Sequence, residues 1–123
     1  MKIRIKGNSL RYRLTRSDVD KFSVEGYIEE TIDFGMQTLT YALQQNRLNN
    51  LSALFENNKI TLFIPAALVN EWTLTDRVGF EHLHNGLSLL VEKDFKCLDN
   101  VAEDQSDNYP NPLAINSTLM YSK

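Results

Sequence analysis

Apolar and polar residues alternate with period two through most of this chain, and two stretches with helical spacing interrupt the alternation. The first fourteen residues read as two short strands around Gly7-Asn8, a pair suited to a two-residue hairpin turn. Pairing outward from that turn sets Ile5 opposite Leu10, Ile3 opposite Tyr12, Arg4 opposite Arg11 and Lys2 opposite Arg13. One face of the hairpin is then apolar and the other wholly basic. Like charges directly across a strand pair repel, so the basic face calls for a compensating anion, either from within the molecule or from a partner.

Thr15 stands where a helix N-cap belongs, with Asp18 at the third helical position, where a carboxylate suits the helix dipole. Val19 and Phe22 form a one-sided stripe and Gly26 can close the helix in a left-handed conformation, which predicts a helix over 16–25. Tyr27–Phe34 alternates with Ile28, Ile32 and Phe34 on one face, and Glu30 breaks that apolar set. An edge position, from which Glu30 reaches water, is expected over an inward pairing with a basic residue of the first hairpin. Gln37–Gln44 alternates again, with Leu39, Tyr41 and Leu43 inward, and the polar run 45–50 reads as a loop.

Asn57-Asn58 marks a second hairpin, with Phe55 facing Ile60, Ala53 facing Leu62 and Glu56 facing Lys59. Ile60–Ile64 is apolar on nearly both sides and belongs near the centre of a sheet. Pro65 opens a short helix over 66–72, on which Leu68 and Trp72 share a face and Trp72 serves as a core plug. Asn85-Gly86 is the strongest hairpin signal in the chain and pairs His84 with Leu87, His82 with Leu89 and Phe80 with Val91; a helical reading of 76–84 is the alternative. The last strand is expected to run 87–98, with Lys93 the exception to its apolar parity. After Asp99 the pattern stops, and Tyr109–Leu113 reads as extended because each proline biases its predecessor away from helix.

These elements predict an α+β fold over residues 1–113: a curved, mostly antiparallel sheet of six or seven strands, closing toward a barrel, with two short helices over one side or end. Residues 114–123 are expected to be a flexible tail. A length of 123 residues suits one domain, and no repeat period is evident in the sequence. No apolar run approaches the ~20 residues that cross a bilayer, and basic residues interrupt the N-terminus where a secretory signal would have its apolar core. A cytoplasmic protein is expected, in keeping with a single cysteine.

Charge is divided unevenly. Residues 1–16 hold Lys2, Arg4, Lys6, Arg11, Arg13 and Arg16 with no acid, whereas the net charge is −3 and the isoelectric point lies near 5.3. Overall acidity argues against duplex nucleic acid as the partner. The candidate anion-binding set is Lys2, Arg4, Lys6, Arg11 and Arg13, since arginine forks suit phosphate and carboxylate oxygens. The competing expectation is that the acidic segment 99–107 folds back over this face and neutralises it.

Other chemistry has little footing. His82, His84 and Cys97 are the only soft metal ligands, one short of a zinc site without a surface acid, and read better as a half-buried His82, an exposed His84 and a core cysteine. Cys97 lies in phase with the apolar face, where a thiol is inert. No phosphate-cradling glycine loop occurs, and Asp99, Glu103, Asp104 and Asp107 lack the spacing of a calcium loop. No catalytic residue, metal or cofactor is assigned.

Four segments, MKIRIKGNSLRYRLTRSDV, EWTLTDRVGFE, LLVEKDFKCL and EDQSDNYPNP, make the chain resemble a family of small bacterial proteins of about this length without an assigned function. The resemblance marks Arg11, Arg13, Trp72, Asp76, Lys93, Asp94, Cys97, Glu103, Asp104, Asp107 and Pro110 as motif positions and implies no catalytic role for them. The function expected is a non-enzymatic binding or interaction module that takes an anionic small molecule or an acidic protein segment on its basic hairpin and can self-associate as a homo-oligomer. The alternative is a phosphate-ester or polyphosphate enzyme in which the basic face works with Glu30 and the acidic segment around a divalent metal.

Overall fold

The computed structural model describes residues 1–95 and 106–110. The first hairpin joins β1 (Lys2–Ile5) to β2 (Ser9–Leu14) in the register that its two faces require, from Ile5 with Leu10 to Lys2 with Arg13. α1 (Arg16–Glu25) begins on a capping box: the Thr15 N–H donates to Asp18 Oδ2 at 3.1 Å and the Asp18 N–H to Thr15 Oγ1 at 3.4 Å. It ends at Gly26, whose φ of 71° is open to glycine at no cost and aims its N–H at the Phe22 carbonyl, 2.7 Å away.

β3 (Tyr27–Asp33) and β4 (Thr38–Asn46) form the second hairpin, and β5 (Ser52–Glu56) and β6 (Lys59–Pro65) the third. α2 (Ala66–Leu74) follows, two residues longer than its sequence pattern, then β7 (Gly79–His84) and β8 (Leu87–Lys93). Asn57, Asn58, Asn85 and Gly86 all have positive φ, which gives two turns whose twist matches that of their strands. The 76–84 stretch is therefore a strand from Gly79 onward, not a helix.

Among the described residues eight strands form two four-stranded sheets, ordered β1-β2-β8-β7 and β3-β4-β6-β5, in place of one sheet of six or seven strands, and neither closes into a barrel. Each sheet joins two antiparallel hairpins through a parallel pair, β2 with β8 and β4 with β6. The reason is the helices: α1 carries the chain from the first layer to the second and α2 carries it back, so the second and third hairpins share one sheet while the first and last meet in the other. β8 stops at Lys93 rather than 98, because the Asp94 N–H turns to the Leu14 carbonyl and Phe95 makes only an isolated bridge to Tyr109. Cys97, Asp99, Glu103, Asp104 and the expected tail 114–123 lie outside the described residues.

The two halves of the chain repeat one ββαββ plan. Leu10, Tyr12, Leu14, Val19 and Phe22 in the first half correspond to Ile60, Leu62, Ile64, Val69 and Trp72 in the second, each pair separated by the same interval. Local hydrogen bonds repeat as well: Ser88 N–H to Asn8 carbonyl matches Thr40 N–H to Asn58 carbonyl, and Lys93 N–H to Val78 carbonyl matches Gln45 N–H to Gly26 carbonyl. The duplication is hidden in the sequence because only apolar character, and not identity, is kept at most of these positions.

The inner faces of both sheets and one side of each helix make a single core that includes Tyr12, Leu14, Leu43, Leu62, Ile64, Leu89 and Val91. Phe22 and Trp72 meet edge to face, with ring centroids 6.3 Å apart, and so lock α1 to α2 over the end where β2 and β6 finish. Trp72 is fully buried, the core plug expected of it, and donates from Nε1 to the Val78 carbonyl at 2.9 Å. All four hairpin turns lie at the opposite end. No helix among the described residues is long and apolar enough to cross a membrane.

Gly79 begins β7 against the backbone of β8, and a Cβ there would lie 2.1 Å from the Val91 carbonyl oxygen and 2.7 Å from Glu92 Cα. Gly79→Ala is expected to destabilise the fold by about 2–3 kcal/mol, read as a lower urea midpoint, since strand backbone rather than a pliable side chain would have to yield.

Candidate anion-binding face

The outer surface of the β1-β2-β8-β7 sheet is organised in rows across the strands. One row runs Arg4, Arg11, Leu90, Glu81, and the next Lys2, Arg13, Glu92, Gly79. Parity within β1 and β2 makes four outward positions basic, with Lys6 continuing the series just past β1, and the parallel pairing with β8 then decides what faces them. Glu92 Oε1 accepts from Arg11 Nε at 2.7 Å and from Arg13 Nε at 2.9 Å, so one half-shielded carboxylate answers two guanidinium groups. At the edge of the sheet Lys2 Nζ stands 3.2 Å from Oδ2 of buried Asp94, a charge contact without the alignment of a hydrogen bond.

Among the described residues the anion that answers Arg11 and Arg13 is carried by β8. The competing expectation, that the acidic segment 99–107 folds back over this face, falls mostly on residues 99–105, which lie outside the described residues. Asp107, the one acid of that segment among the described residues, sits instead on the N-terminus of α1. Ser17 donates its N–H to Asp107 Oδ1 at 3.3 Å and its hydroxyl to Oδ2, while the Arg16 N–H donates to the Asp107 main-chain carbonyl at 3.0 Å. Hydrogen bonds from the Ser17 and Thr15 side chains hold the Asp107 carboxyl below its ordinary range, aided by the Ser17 backbone N–H and the charge of Arg16.

Glu30 is exposed on edge strand β3, as expected, yet it is not idle: its Oε2 lies 3.1 Å from the Met1 ammonium, which also meets Asp18 Oδ2 at 2.8 Å. Burial pulls the ammonium down, and the hydrogen bonds to Asp18 and Glu30 outweigh it and raise its pKa. His82 and His84 point into the sandwich beside Leu89 and Leu87, and both are half-buried, although His84 was expected to be exposed. The Ala53 N–H donates to His84 Nδ1 at 3.4 Å across the gap between β7 and β5. Among the described residues no group of three or more metal-ligating side chains forms.

Lys93, the exception to the parity of β8, has a structural explanation. Its Nζ donates to the Thr75 carbonyl at 2.8 Å, at the C-terminus of α2, and Tyr109 lies over it with the ring centroid 5.3 Å away. Burial lowers the pKa of this lysine and the charge of Asp76 opposes the change. A cation at a helix C-terminus suits the helix dipole, a use that no pattern within β8 could announce.

Of the five candidate residues, Lys2, Arg11 and Arg13 therefore have acidic partners, while Arg4 and Lys6 are exposed and form no ion pair with any described residue. Arg4, Lys6 and Arg11 border a depression of about 250 Å³ whose other walls include Ser9, Ser88 and Glu81. The turn beside it is held in place: Asn8 Nδ2 donates to the Gly86 carbonyl at 2.7 Å and the Ser88 N–H to the Asn8 carbonyl at 3.0 Å.

The fold and this face define an α+β protein of two mixed four-stranded sheets with a basic corner on one of them. The chain belongs to a family of unknown function, DUF7009, whose family model matches residues 1–113. No curated protein and no solved structure matches it.

Glu92→Gln removes the charge that two guanidinium groups share. The expected loss is about 1–2 kcal/mol in low-salt urea titrations, shrinking in about 1 M salt as the remaining cations are screened. The Asp107 contact has its own pH signature. Because the carboxyl is held below its ordinary value of 3.8, its contribution is complete above that value and fades as pH falls through the lower folded one. The difference in melting temperature between wild type and Ser17→Ala should accordingly be present at neutral pH and vanish in strong acid; a difference independent of pH would contradict it.

Proposed function

We propose that this protein is a non-enzymatic binding module that captures an anion at the corner formed by Arg4, Lys6 and Arg11. One observation carries the reading: two exposed cations, without an acidic partner among the described residues, border the same depression as a guanidinium that Glu92 already holds in position. Ordering a side chain costs free energy on binding, and the Glu92 contact has met that cost for Arg11 in advance. Ser9 and Ser88 supply hydroxyls at the wall, although Ser9 Oγ is engaged with the Lys6 carbonyl at 2.6 Å.

The size of the corner suits a phosphate or carboxylate group. The pairing of Arg11 and Arg13 with Glu92 supports a binding module over an enzyme, because it lowers the field of the face that would have to draw in a highly charged substrate. Glu30, which the enzymatic alternative needs on the basic face, belongs to the other sheet and is engaged with the Met1 ammonium.

The reading is tested by thermal shift at low ionic strength with inorganic phosphate and tripolyphosphate. Both are expected to raise the melting temperature of wild type, with the effect lost in Arg4→Ala/Lys6→Ala and reduced in about 0.5 M salt. The double variant should itself melt close to wild type, since neither side chain has a described ion-pair partner. Equal stabilisation of both proteins would remove the corner from consideration.

A further inference from the structure

The end of the sandwich that carries the turns is open. Helices α1 and α2 close one end of the core, but at the other the innermost positions of the hairpins remain in contact with solvent: Ile5 is 59% exposed, Ile32 42% and Phe55 67%. Ile5 and Leu10 of the first sheet face Leu39, Ala53, Phe55 and Ile60 of the second across a recess of about 400 Å³. Its walls are mainly apolar side chains and lie within the size range of small-molecule sites. Scattered exposed apolar residues are ordinary, whereas a concave set drawn from both sheets is a binding feature.

This recess and the basic corner are adjoining. Ser9 and Leu10 border both, with Leu10 turned into the recess and Ser9 toward Lys6, and the Gly7-Asn8 turn forms the lip between them. An apolar hollow that opens at its rim onto exposed cations has the charge pattern of one kind of small ligand. We infer that the anion bound here is the head of an amphiphile: a phosphate or carboxylate seated on Arg4 and Lys6, with an aliphatic or aromatic body passing over the Gly7-Asn8 lip into the recess between the sheets. The inference rests on the anion-binding reading above and names its ligand class. The head gains charge-assisted hydrogen bonds, and the body removes Ile5 and Phe55 from water along with itself. The lip is fit for this task because both of its neighbours brace it, the Asn8 amide on the Gly86 carbonyl and the Asn8 carbonyl on the Ser88 N–H.

Calorimetric titration of the full chain with octyl phosphate, inorganic phosphate and 1-octanol separates the two contributions. Octyl phosphate is expected to bind at least about tenfold more tightly than phosphate, each tenfold step corresponding to about 1.4 kcal/mol. Arg4→Ala/Lys6→Ala should weaken octyl phosphate about tenfold and leave octanol unchanged, and Phe55→Ser should weaken octyl phosphate and leave phosphate unchanged. Both variants alter exposed side chains, and circular dichroism melts verify that they fold; Ile5→Ser repeats the tail test at the facing wall. If phosphate and octyl phosphate bind alike, the amphiphile is overturned while the anion corner stands. If octanol binds and neither anion does, both readings fall. A dimer in sedimentation that Phe55→Ser dissolves would mean that the recess is an interface between copies, and would overturn the ligand.

Discussion

The parallel pairing of β2 with β8 is the constraint on which the rest depends. It places Tyr12 beside Val91 on the core side and Arg13 beside Glu92 on the outer side, so one register serves both burial and charge. A slip by one residue would turn the apolar set outward and separate both arginines from their carboxylate. The pairing also brings the first and last hairpins together, which sets the Asn8 and Gly86 turns side by side and braces the Gly7-Asn8 lip between the recess and the depression that Lys6 borders. Core, ion pairs and candidate site are consequences of the same six-residue alignment.

The repeated ββαββ plan makes the asymmetry of the surface informative. Positions Arg4, Lys6, Arg11 and Arg13 correspond in the second half to Leu54, Glu56, Thr61 and Phe63, so the fold itself does not ask for a basic face. The inner positions keep their apolar character in both halves because they build one shared core. Only the first half carries the cations, and they gather on a sheet whose own acids answer some of them and not others. At the closed end the two halves meet through Phe22 and Trp72; at the open end they face each other across the recess.

Local features were readable from the sequence and non-local ones were not. Gly7-Asn8, Asn57-Asn58 and Asn85-Gly86 each set a register that the structure keeps, and Thr15 with Asp18 set the start of α1, because turn and cap chemistry acts within a few residues. The parallel pairs have no such signal: nothing near Leu10 indicates Leu89, and nothing near Leu43 indicates Leu62. For that reason the sequence predicts one mostly antiparallel sheet where two mixed sheets form. The same gap hid Glu92 as the partner of Arg11 and Arg13, since its outward parity was legible but its neighbouring strand was not. Lys93 was legible only as an exception until the Thr75 carbonyl explained it. The basic set was visible in the sequence, but its division into paired and open members needed the tertiary arrangement.

The central claim is that Arg4 and Lys6, rather than the more numerous arginines beside them, receive the ligand. Its most direct test is a titration with inorganic triphosphate at low ionic strength, followed by backbone amide shifts in a two-dimensional ¹H–¹⁵N spectrum. Saturable shifts are expected to centre on Arg4, Lys6, Ser9 and Ser88, with Arg13 and Glu92 nearly still because their ion pair is kept. Shifts centred on Arg13 and Glu92, or none that saturate, would contradict it.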